Sequence, residues 1–277
     1  EKSLNQKQQN YPEVINNLGL LYDEMGNYEK AELLFLESKA IWEKSLGKEH
    51  PNYATSLNNL GLLYKTKRNY EKAEQFLIES KDIREKTLGK EHSKYVSSLN
   101  NLGLLYKDMG NYKKAENFFL ECKAIREKLL GKEHPDYAGI LINIAILNRI
   151  IGNYEKAELL FIEAMVICNK VLGKEHQNYI ICLEQLANIY ESQSLLLTAE
   201  QVLQEMQKIS QDKLLKASTF LSEQELAKYS DIFKESGEYL STYLYARQKS
   251  RKQSGILPML LYDYSLFYKG FLLNAAA

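Results

Sequence analysis

The chain has 277 residues, with 36 lysines and arginines against 36 aspartates and glutamates, so its formal net charge is zero. This balance argues against a nucleic-acid-binding surface, which needs a basic excess on one face. The longest apolar runs are too short and too interrupted to span a bilayer, so no membrane-embedded part is expected.

One short stretch occurs four times at a constant spacing. Its first copy reads GNYEKAE, and the four copies begin at residues 26, 68, 110 and 152, which gives a period of 42 residues. A second stretch, GKEH, returns at the same period and begins at residues 47, 89, 131 and 173. A constant period in this range predicts a repeat array in which each unit buries its apolar face against its neighbours.

Each repeat is predicted to form two helices. In the first repeat these run from about Pro12 to Met25 and from about Tyr28 to Leu46, where apolar residues recur at helical spacing. Gly26 and Gly47 follow the two helices and are predicted to end them, Gly26 by taking the left-handed conformation. One small residue holds a fixed position in each helix, which predicts a close approach of the pair. These residues are Gly19, Gly61, Gly103, Ala145 and Ala187 in the first helices, and Ala31, Ala73, Ala115, Ala157 and Ala199 in the second.

This pattern resembles the tetratricopeptide repeat. The matching residues of the first repeat are Leu18, Gly19, Tyr22, Gly26, Ala31, Phe35 and Ser38. The 42-residue period and the G-x-x-H-P linker are similar to the kinesin light chain and nephrocystin type, and to many bacterial arrays. The resemblance implies an all-α fold, a right-handed superhelix or α-solenoid of helix-turn-helix repeats. It also implies that the first helices line a concave groove, where a protein or peptide binds.

The repeat register divides the chain into three parts. Residues 1–10 match residues 43–52 after a shift of 42 and are expected to end the second helix of a preceding repeat in a longer protein. Five repeats are expected over residues 11–210, at about 11–51, 52–93, 94–135, 136–177 and 178–210. Residues 211–277 have no 42-residue echo and are expected to form about three helices that cap the last repeat and lead to a further domain. Arg68 and Ser194 take the turn position that glycine holds in the other repeats.

The tail resembles the helical segment that precedes the peptidase in bacterial proteins with tetratricopeptide repeats and a CHAT domain, a caspase-like cysteine peptidase module. The matching stretches are Phe220–Leu226 and Tyr262–Asn274. The resemblance implies that the peptidase and its histidine–cysteine dyad follow residue 277. This chain itself is then not an enzyme and recognises the substrate or regulator.

The four histidines share one linker position, at residues 50, 92, 134 and 176. Packed helices lie about 8–10 Å apart, and equivalent residues of successive repeats are separated by two such layers, so two histidines are too far apart to share a zinc ion. We therefore expect them to close the linker, and we expect no metal and no cofactor.

His176 and Cys182 are not predicted to be a catalytic pair, because Cys182 takes the register position of Ser98. Cys122, Cys168 and Cys182 share no repeat position and no CxxC spacing, which predicts reduced thiols in a cytoplasmic protein.

A ladder of amides precedes the register leucine of each first helix: Asn17, Asn59, Asn101 and Asn143, followed by Gln185. The family resemblance implies that these residues face the groove and hydrogen-bond the backbone of an extended peptide, since an amide is both donor and acceptor. The alternative is packing between helices or capping of a neighbouring loop. The adjacent Asn16, Asn58 and Asn100 point about 100° away around the helix, so the two sets cannot share one role.

Two further sets flank the ladder. Asp23, Lys65, Lys107 and Arg149 hold one register position. Charge there favours an acidic segment or a C-terminal carboxylate, and the alternative is ordinary solubilising charge. In the fourth repeat Ile142, Ile146 and Ile150 form an apolar stripe on an otherwise polar face, which predicts a pocket for an apolar anchor of the ligand.

Three functions are compatible with these patterns. The first is a protein- or peptide-binding module that serves a downstream CHAT-type peptidase. The second is a cargo or complex-assembly adaptor similar to kinesin light chain, with no attached enzyme. The third and weakest is an enzyme contained in residues 1–277. The sequence has neither a nucleotide-binding glycine motif nor an arrangement of residues typical of a catalytic nucleophile.

Overall fold

The computed structural model describes residues 2–217, with residues 2–10 and Leu214 described only in their backbone. Ten α-helices connected by short turns make up this range: α1 (Lys2–Glu24), α2 (Tyr28–Leu46), α3 (Pro51–Thr66), α4 (Tyr70–Leu88), α5 (Ser93–Asp108), α6 (Tyr112–Leu130), α7 (Pro135–Ile150), α8 (Tyr154–Val171), α9 (Gln177–Ser192) and α10 (Leu196–Ala217). They form five helix pairs, one in each predicted repeat, so the predicted all-α repeat array is confirmed. None of these ten helices is long and apolar enough to cross a membrane.

The described helices fall into two compact units, α1–α6 and α7–α10, which are divided after residue 132. In the first unit, α2 and α4 each pack against the first helix of their own repeat and against that of the next repeat, and α6 packs on α5. Within this unit α3 also lies against α1 and α5. In the second unit α8 packs in the same way between α7 and α9, α10 packs on α9, and α7 contacts α9. The first helices thus form a continuous face within each unit, which we call the first-helix face.

Local signals set the helix ends. Gly26 and Gly47 have φ values of 73° and 82° and follow α1 and α2, as predicted. Asn27 caps α2 by accepting a hydrogen bond from the Lys30 amide. The linker histidines cap the first helices, and the Nδ1 atom of His50 accepts from the Asn52 amide at 3.1 Å. The same bond occurs at His92, His134 and His176. The prediction that these histidines close the linker is confirmed.

The turn between the paired helices keeps its left-handed residue even without glycine. Arg68 has φ 57° and Ser194 has φ 62°, close to the values at Gly26 and Gly110. A side chain in this conformation costs roughly 1–2 kcal/mol because its Cβ approaches the following carbonyl. The packing of the helix pair therefore imposes the turn geometry on these two residues.

The helix pairs approach closely at the small residues, as predicted. A Cβ atom on Gly19 would lie 2.6 Å from Cε1 of Phe35, and one on Gly61 would lie 2.6 Å from Cγ of Leu77. Gly103 stands in the same relation to the buried ring of Phe119. The cost of glycine within a helix is offset by this contact with a fully buried core side chain.

In three repeats, a tyrosine of the first helix forms a hydrogen bond with a glutamate of the preceding repeat. The hydroxyl of Tyr64 donates to Glu32 at 2.6 Å, and the Tyr106 hydroxyl donates to Glu74. In the second unit the hydroxyl of Tyr190 donates to Glu158 at 2.7 Å. Burial, followed by the bond to Glu32, raises the pKa of Tyr64 to about 12.

Two element bounds differ from the prediction. The first helix begins at Lys2 instead of near Pro12, so residues 2–10 continue α1 instead of ending an earlier helix. The physical reason is that Asn5 takes the register position of Gly47, so no left-handed glycine ends the helix there. At the other end α10 extends to Ala217, past the predicted boundary at residue 210. The tail helices predicted beyond that point, with Phe220–Leu226 and Tyr262–Asn274, lie outside the described residues.

Candidate functional site

Asn59 and Asn101, two of the four asparagines in the ladder, join neighbouring repeats. The Nδ2 atom of Asn59 donates to Oδ1 of Asn16 at 3.0 Å, and Nδ2 of Asn101 donates to Oδ1 of Asn58 at 2.9 Å. Asn16, Asn58 and Asn59 are each 7% or 8% exposed. The second asparagine of one repeat therefore binds the first asparagine of the preceding repeat, and the two sets act together in packing between helices.

The remaining ladder positions differ in their exposure. Asn17 is exposed on the first-helix face, and its amide is open to solvent. Asn143 and Gln185 are half-buried. The buried carbonyl oxygen of Gln185 accepts no hydrogen bond from the part of the chain that the structure describes.

The predicted basic set is partly neutralised within the chain. Lys65 lies 3.2 Å and Lys107 lies 3.4 Å from carboxylate oxygens of Asp108, so two ammonium groups share one carboxylate. Asp23, at the same register position, has a raised pKa because of burial and the neighbouring charge of Glu24. In the other compact unit Arg149 is half-buried, and its Nε atom is buried without a hydrogen-bond partner among residues 2–217.

The isoleucines of the fourth repeat do not form one open stripe. Ile142 is 5% exposed and belongs to the packed interior of its unit, while Ile146 is half-buried and Ile150 is exposed. Ile142 replaces a polar residue of the other repeats, and this position is also buried at Asn16 and Asn58. The expectation that Ile142 receives an apolar anchor from a ligand is therefore wrong, because its side chain is not accessible.

A small polar cavity opens on the first-helix face of the first compact unit. Its volume is about 110 Å³, and it is lined by Glu13, Asn16, Asn17, Trp42, Asn52, Thr55, Ser56 and Lys94. These residues belong to α1, α2, α3 and α5, so four helices and three repeats contribute to one site. A carboxylate, an ammonium group, three amides and two hydroxyls converge there, which provides donors and acceptors for a polar ligand.

The sequence prediction identified only Asn17 among these lining residues. The repeat register holds a signal for four of the others, because Asn52 and Lys94 share one position and Glu13 and Thr55 share another. Both positions are polar in successive first helices and lie outside the apolar pattern. A search for polar positions repeated at a period of 42 would have found them.

A buried arginine lies beside this cavity. The Nη1 atom of Arg84 donates to the Lys94 carbonyl at 3.1 Å, to Ser98 Oγ at 2.8 Å and to Asn58 Oδ1 at 3.4 Å. Arg84 is 4% exposed, and no carboxylate pairs with it in residues 2–217, so burial lowers the pKa of its guanidinium to about 10. It holds the register position of Trp42 and fixes the start of α5, where Lys94 lies.

The thiols and histidines show no arrangement suited to catalysis. Burial, with a further contribution from the nearby Cys168, raises the pKa of the Cys182 thiol, which opposes its ionisation at neutral pH. His176 uses its Nδ1 atom to accept the Asn178 amide. No group of three or more histidine, cysteine or acidic side chains that could hold a metal ion occurs in the described range.

The comparison with known families identifies the fold. A family model described as a tetratricopeptide repeat matches residues 11–86, 66–128, 95–165 and 136–212, so the matches together extend over well more than half of the chain. The chain belongs to the tetratricopeptide repeat family. The predicted resemblance is thereby confirmed for the repeats, and proteins of this fold typically act as non-catalytic binding scaffolds. A search of curated protein sequences gives no match.

Solved structures of tetratricopeptide repeat proteins have a similar fold. Repeats of a Podosopora anserina putative kinesin light chain are 25% identical, with a TM-score of 0.63 over 73% of this chain and 95% of that chain. BtubC (BKLC) from P. vanneervenii is 21% identical, with a TM-score of 0.63 over 71% of this chain and 78% of that chain. A Rap protein complexed with competence and sporulation factor is 14% identical, with a TM-score of 0.61 over 95% of this chain and 74% of that chain.

Proposed function

We propose that this tetratricopeptide repeat chain is a scaffold that binds a protein or peptide on its first-helix face. The observation that carries the proposal is the polar cavity between α1, α2, α3 and α5. Asn17 and Lys94 line it, and both are exposed on that face. A site that combines amides, hydroxyls and both signs of charge suits the backbone and polar side chains of a peptide.

The charges near the cavity favour an acidic group in the ligand. Lys94 is an exposed cation at the cavity, and Arg84 contributes a second positive charge beneath it. Lys65 and Lys107 share a single carboxylate, which leaves one positive charge in excess at the edge of the face. In the second unit, taken by itself, Asn143, Arg149 and Ile146 are candidate binding residues of its own first-helix face. The Rap protein of similar fold is complexed with competence and sporulation factor, which supports ligand binding by such an array.

The role of the scaffold is proposed in two forms. In the first, it recognises the substrate or regulator of a bacterial CHAT-type cysteine peptidase, which is supported by the sequence resemblance of Phe220–Leu226 and Tyr262–Asn274. In the second, it is a cytoplasmic adaptor without an enzyme, which is supported by its similarity to the putative kinesin light chain repeats. Identification of captured proteins distinguishes the two, because a peptidase substrate is cleaved when the full-length protein is present and a cargo is not.

The test of the binding face uses matched variants. A partner is first captured on the immobilised chain and identified, and its affinity is then measured by calorimetry. We expect Asn17→Ala with Lys94→Ala to weaken binding about tenfold or more, since each hydrogen bond contributes about 0.5–1.5 kcal/mol and bonds to charged groups more. The control is Asn117→Ala with Lys113→Ala, which makes the same changes at exposed residues of α6. Equal affinity of both double variants would place the binding surface elsewhere.

A further inference from the structure

A second groove lies on the outer side of the first compact unit, away from the first-helix face. Its volume is about 600 Å³, within the range of ligand pockets. The linker between α2 and α3 provides Lys48 and Glu49, and one face of α4 provides the remaining lining residues. Along α4 these begin at Glu71 and end at Ile83, a distance of roughly 18 Å at 1.5 Å per residue.

The groove combines apolar side chains with an acidic rim. Ile78 and Ile83 line it and are half-buried, and Ile83 packs against the cluster formed by Trp42, Tyr53 and Leu57. Five carboxylates line the same groove and only one ammonium group, that of Lys48, so its lining has a strong negative charge although the whole chain is neutral. An apolar floor with one sign of charge around it selects ligands of the opposite charge.

Within the rim, only Asp82 is particular to the second repeat, since no other repeat has a carboxylate at its register position. Gln75, Ile78 and Asp82 of α4 hold the register positions of Leu159, Ile162 and Val166 in α8. Gln75 and Asp82 therefore do not follow from the requirements of the repeat fold, since α8 packs in the same way with apolar residues at these exposed positions. The other four carboxylates of the rim recur in the fourth repeat, where they are Glu133, Glu155, Glu158 and Glu163.

Several rim carboxylates remain available to a ligand. Glu71 is exposed and has no hydrogen bond or ion pair with the residues that the structure describes. Glu49 pairs with Lys86, and Asp82 pairs with Lys81, but the side chains of Glu49, Lys86 and Asp82 are well exposed. Ion pairs exposed in this way contribute little to stability, so a ligand cation can compete for these carboxylates.

We propose that this groove binds a short basic amphipathic helix of a partner protein. The rim offers carboxylate oxygens, which only accept hydrogen bonds, so it suits the ammonium and guanidinium donors of side chains. A helix satisfies its own backbone groups and presents apolar side chains at i, i+4, i+7 and i+11, which span about 16.5 Å and so approach the length of the α4 face. The site is separate from the cavity on the first-helix face and does not depend on the function proposed there.

The test uses a designed probe. A fluorescent peptide of about 14 residues carries leucines at helical spacing and lysines at the other positions, and a second peptide has glutamate in place of lysine. We expect the lysine peptide to bind the full chain in fluorescence anisotropy, with an affinity that falls as salt rises, and the glutamate peptide not to bind. Failure of the lysine peptide to bind, or equal binding of the two peptides, would overturn the proposal.

Matched variants then locate the site. Glu71→Lys with Asp82→Lys should weaken binding of the lysine peptide about tenfold or more. Glu29→Lys with Glu155→Lys makes the same change in charge at exposed residues of α2 and α8 and should alter the affinity less than about twofold. Ile78→Asn should weaken binding, whereas Ile162→Asn at the same register position of α8 should not. Equal losses in either matched pair would show nonspecific attraction and contradict the assignment of the groove.

Discussion

Asn59 donates a hydrogen bond from Nδ2 to Oδ1 of Asn16 at 3.0 Å, and both amides are more than nine-tenths buried. The first prediction is that Asn59→Ala lowers the free energy of unfolding by about 1–3 kcal/mol, because the buried oxygen of Asn16 loses this donor. Urea unfolding measures the change. Asn17→Ala, at the neighbouring exposed position, should change it by less than about 0.5 kcal/mol. Unchanged stability of Asn59→Ala would contradict a packing role.

The second prediction concerns the turn at Arg68, which has φ 57°. Arg68→Gly should raise the free energy of unfolding by roughly 0.5–1 kcal/mol, since the strain of a side chain in this conformation exceeds the greater chain entropy of glycine in the unfolded state. Thermal and urea unfolding check it. Gly110→Ala, at the same turn position with φ 75°, should have the opposite sign. A destabilised Arg68→Gly variant would show that the arginine side chain makes a compensating contact.

The third prediction concerns the close helix pair of the third repeat. Gly103→Ala should destabilise the chain by about 1–3 kcal/mol, because the added methyl group overlaps the fully buried ring of Phe119. The gain in helix propensity, about 1 kcal/mol, is included in this net value. A double-mutant cycle with Phe119→Leu should show favourable coupling, since the smaller side chain makes room for the methyl group. Strict additivity would contradict the overlap.

The fourth prediction is a pH dependence of the bond between Tyr64 and Glu32. Burial and this bond raise the pKa of Tyr64 from 10.0 to about 12, so the folded state favours the protonated hydroxyl. The resulting stabilisation is fully present below about pH 10 and is lost as the pH rises through about 12. Tyr64→Phe should therefore show a shallower loss of stability between pH 10 and pH 12 than the wild type, measured by urea unfolding. Tyr112→Phe, at an exposed ring, serves as the control, and identical slopes for Tyr64→Phe and wild type would refute the prediction.

The fifth prediction concerns the buried guanidinium of Arg84. Arg84→Met should leave the stability unchanged or raise it by about 1 kcal/mol, because it removes a buried charge that has no carboxylate partner in residues 2–217. Two acceptors of the Arg84 guanidinium keep another donor in this variant. The Lys94 carbonyl accepts from Ser98 Oγ, and Asn58 Oδ1 accepts from Asn101 Nδ2. Arg84→Ala should instead cost about 2 kcal/mol or more through the cavity it creates. Equal destabilisation by both variants would show that the charge itself is required.

The sequence alone predicted those features that depend on neighbouring residues along the chain. The bounds of α2, Tyr28–Leu46, follow from apolar spacing closed by a glycine at each end, and the structure confirms them. The close contact at Gly19 was also predictable, because glycine is costly inside a helix unless a neighbouring element needs the space of its missing side chain. Where the glycine is missing, at Asn5, the prediction of a helix end was wrong.

The partners of the candidate site residues were not predictable in the same way. The ladder position of Asn59 follows from the helical period, but its partner Asn16 lies 43 residues earlier, and their contact depends on the offset between two packed helices. The polar cavity likewise draws residues from four helices, so Lys94 and Trp42 have no local signal that joins them. Helical spacing determines the direction of a side chain, and the packing between repeats determines which residues that side chain contacts.

The hydrogen bonds between asparagines of neighbouring repeats affect how such an array can evolve. These bonds pair Asn59 with Asn16 and Asn101 with Asn58. At both of these junctions the earlier repeat provides the same acceptor and the later repeat provides the same donor. A duplication or deletion of 42 residues within this stretch therefore restores an equivalent junction and leaves no buried amide without a partner. Selection can then lengthen or shorten the array in whole steps while acting separately on Lys94 and on Glu71 for the choice of ligand.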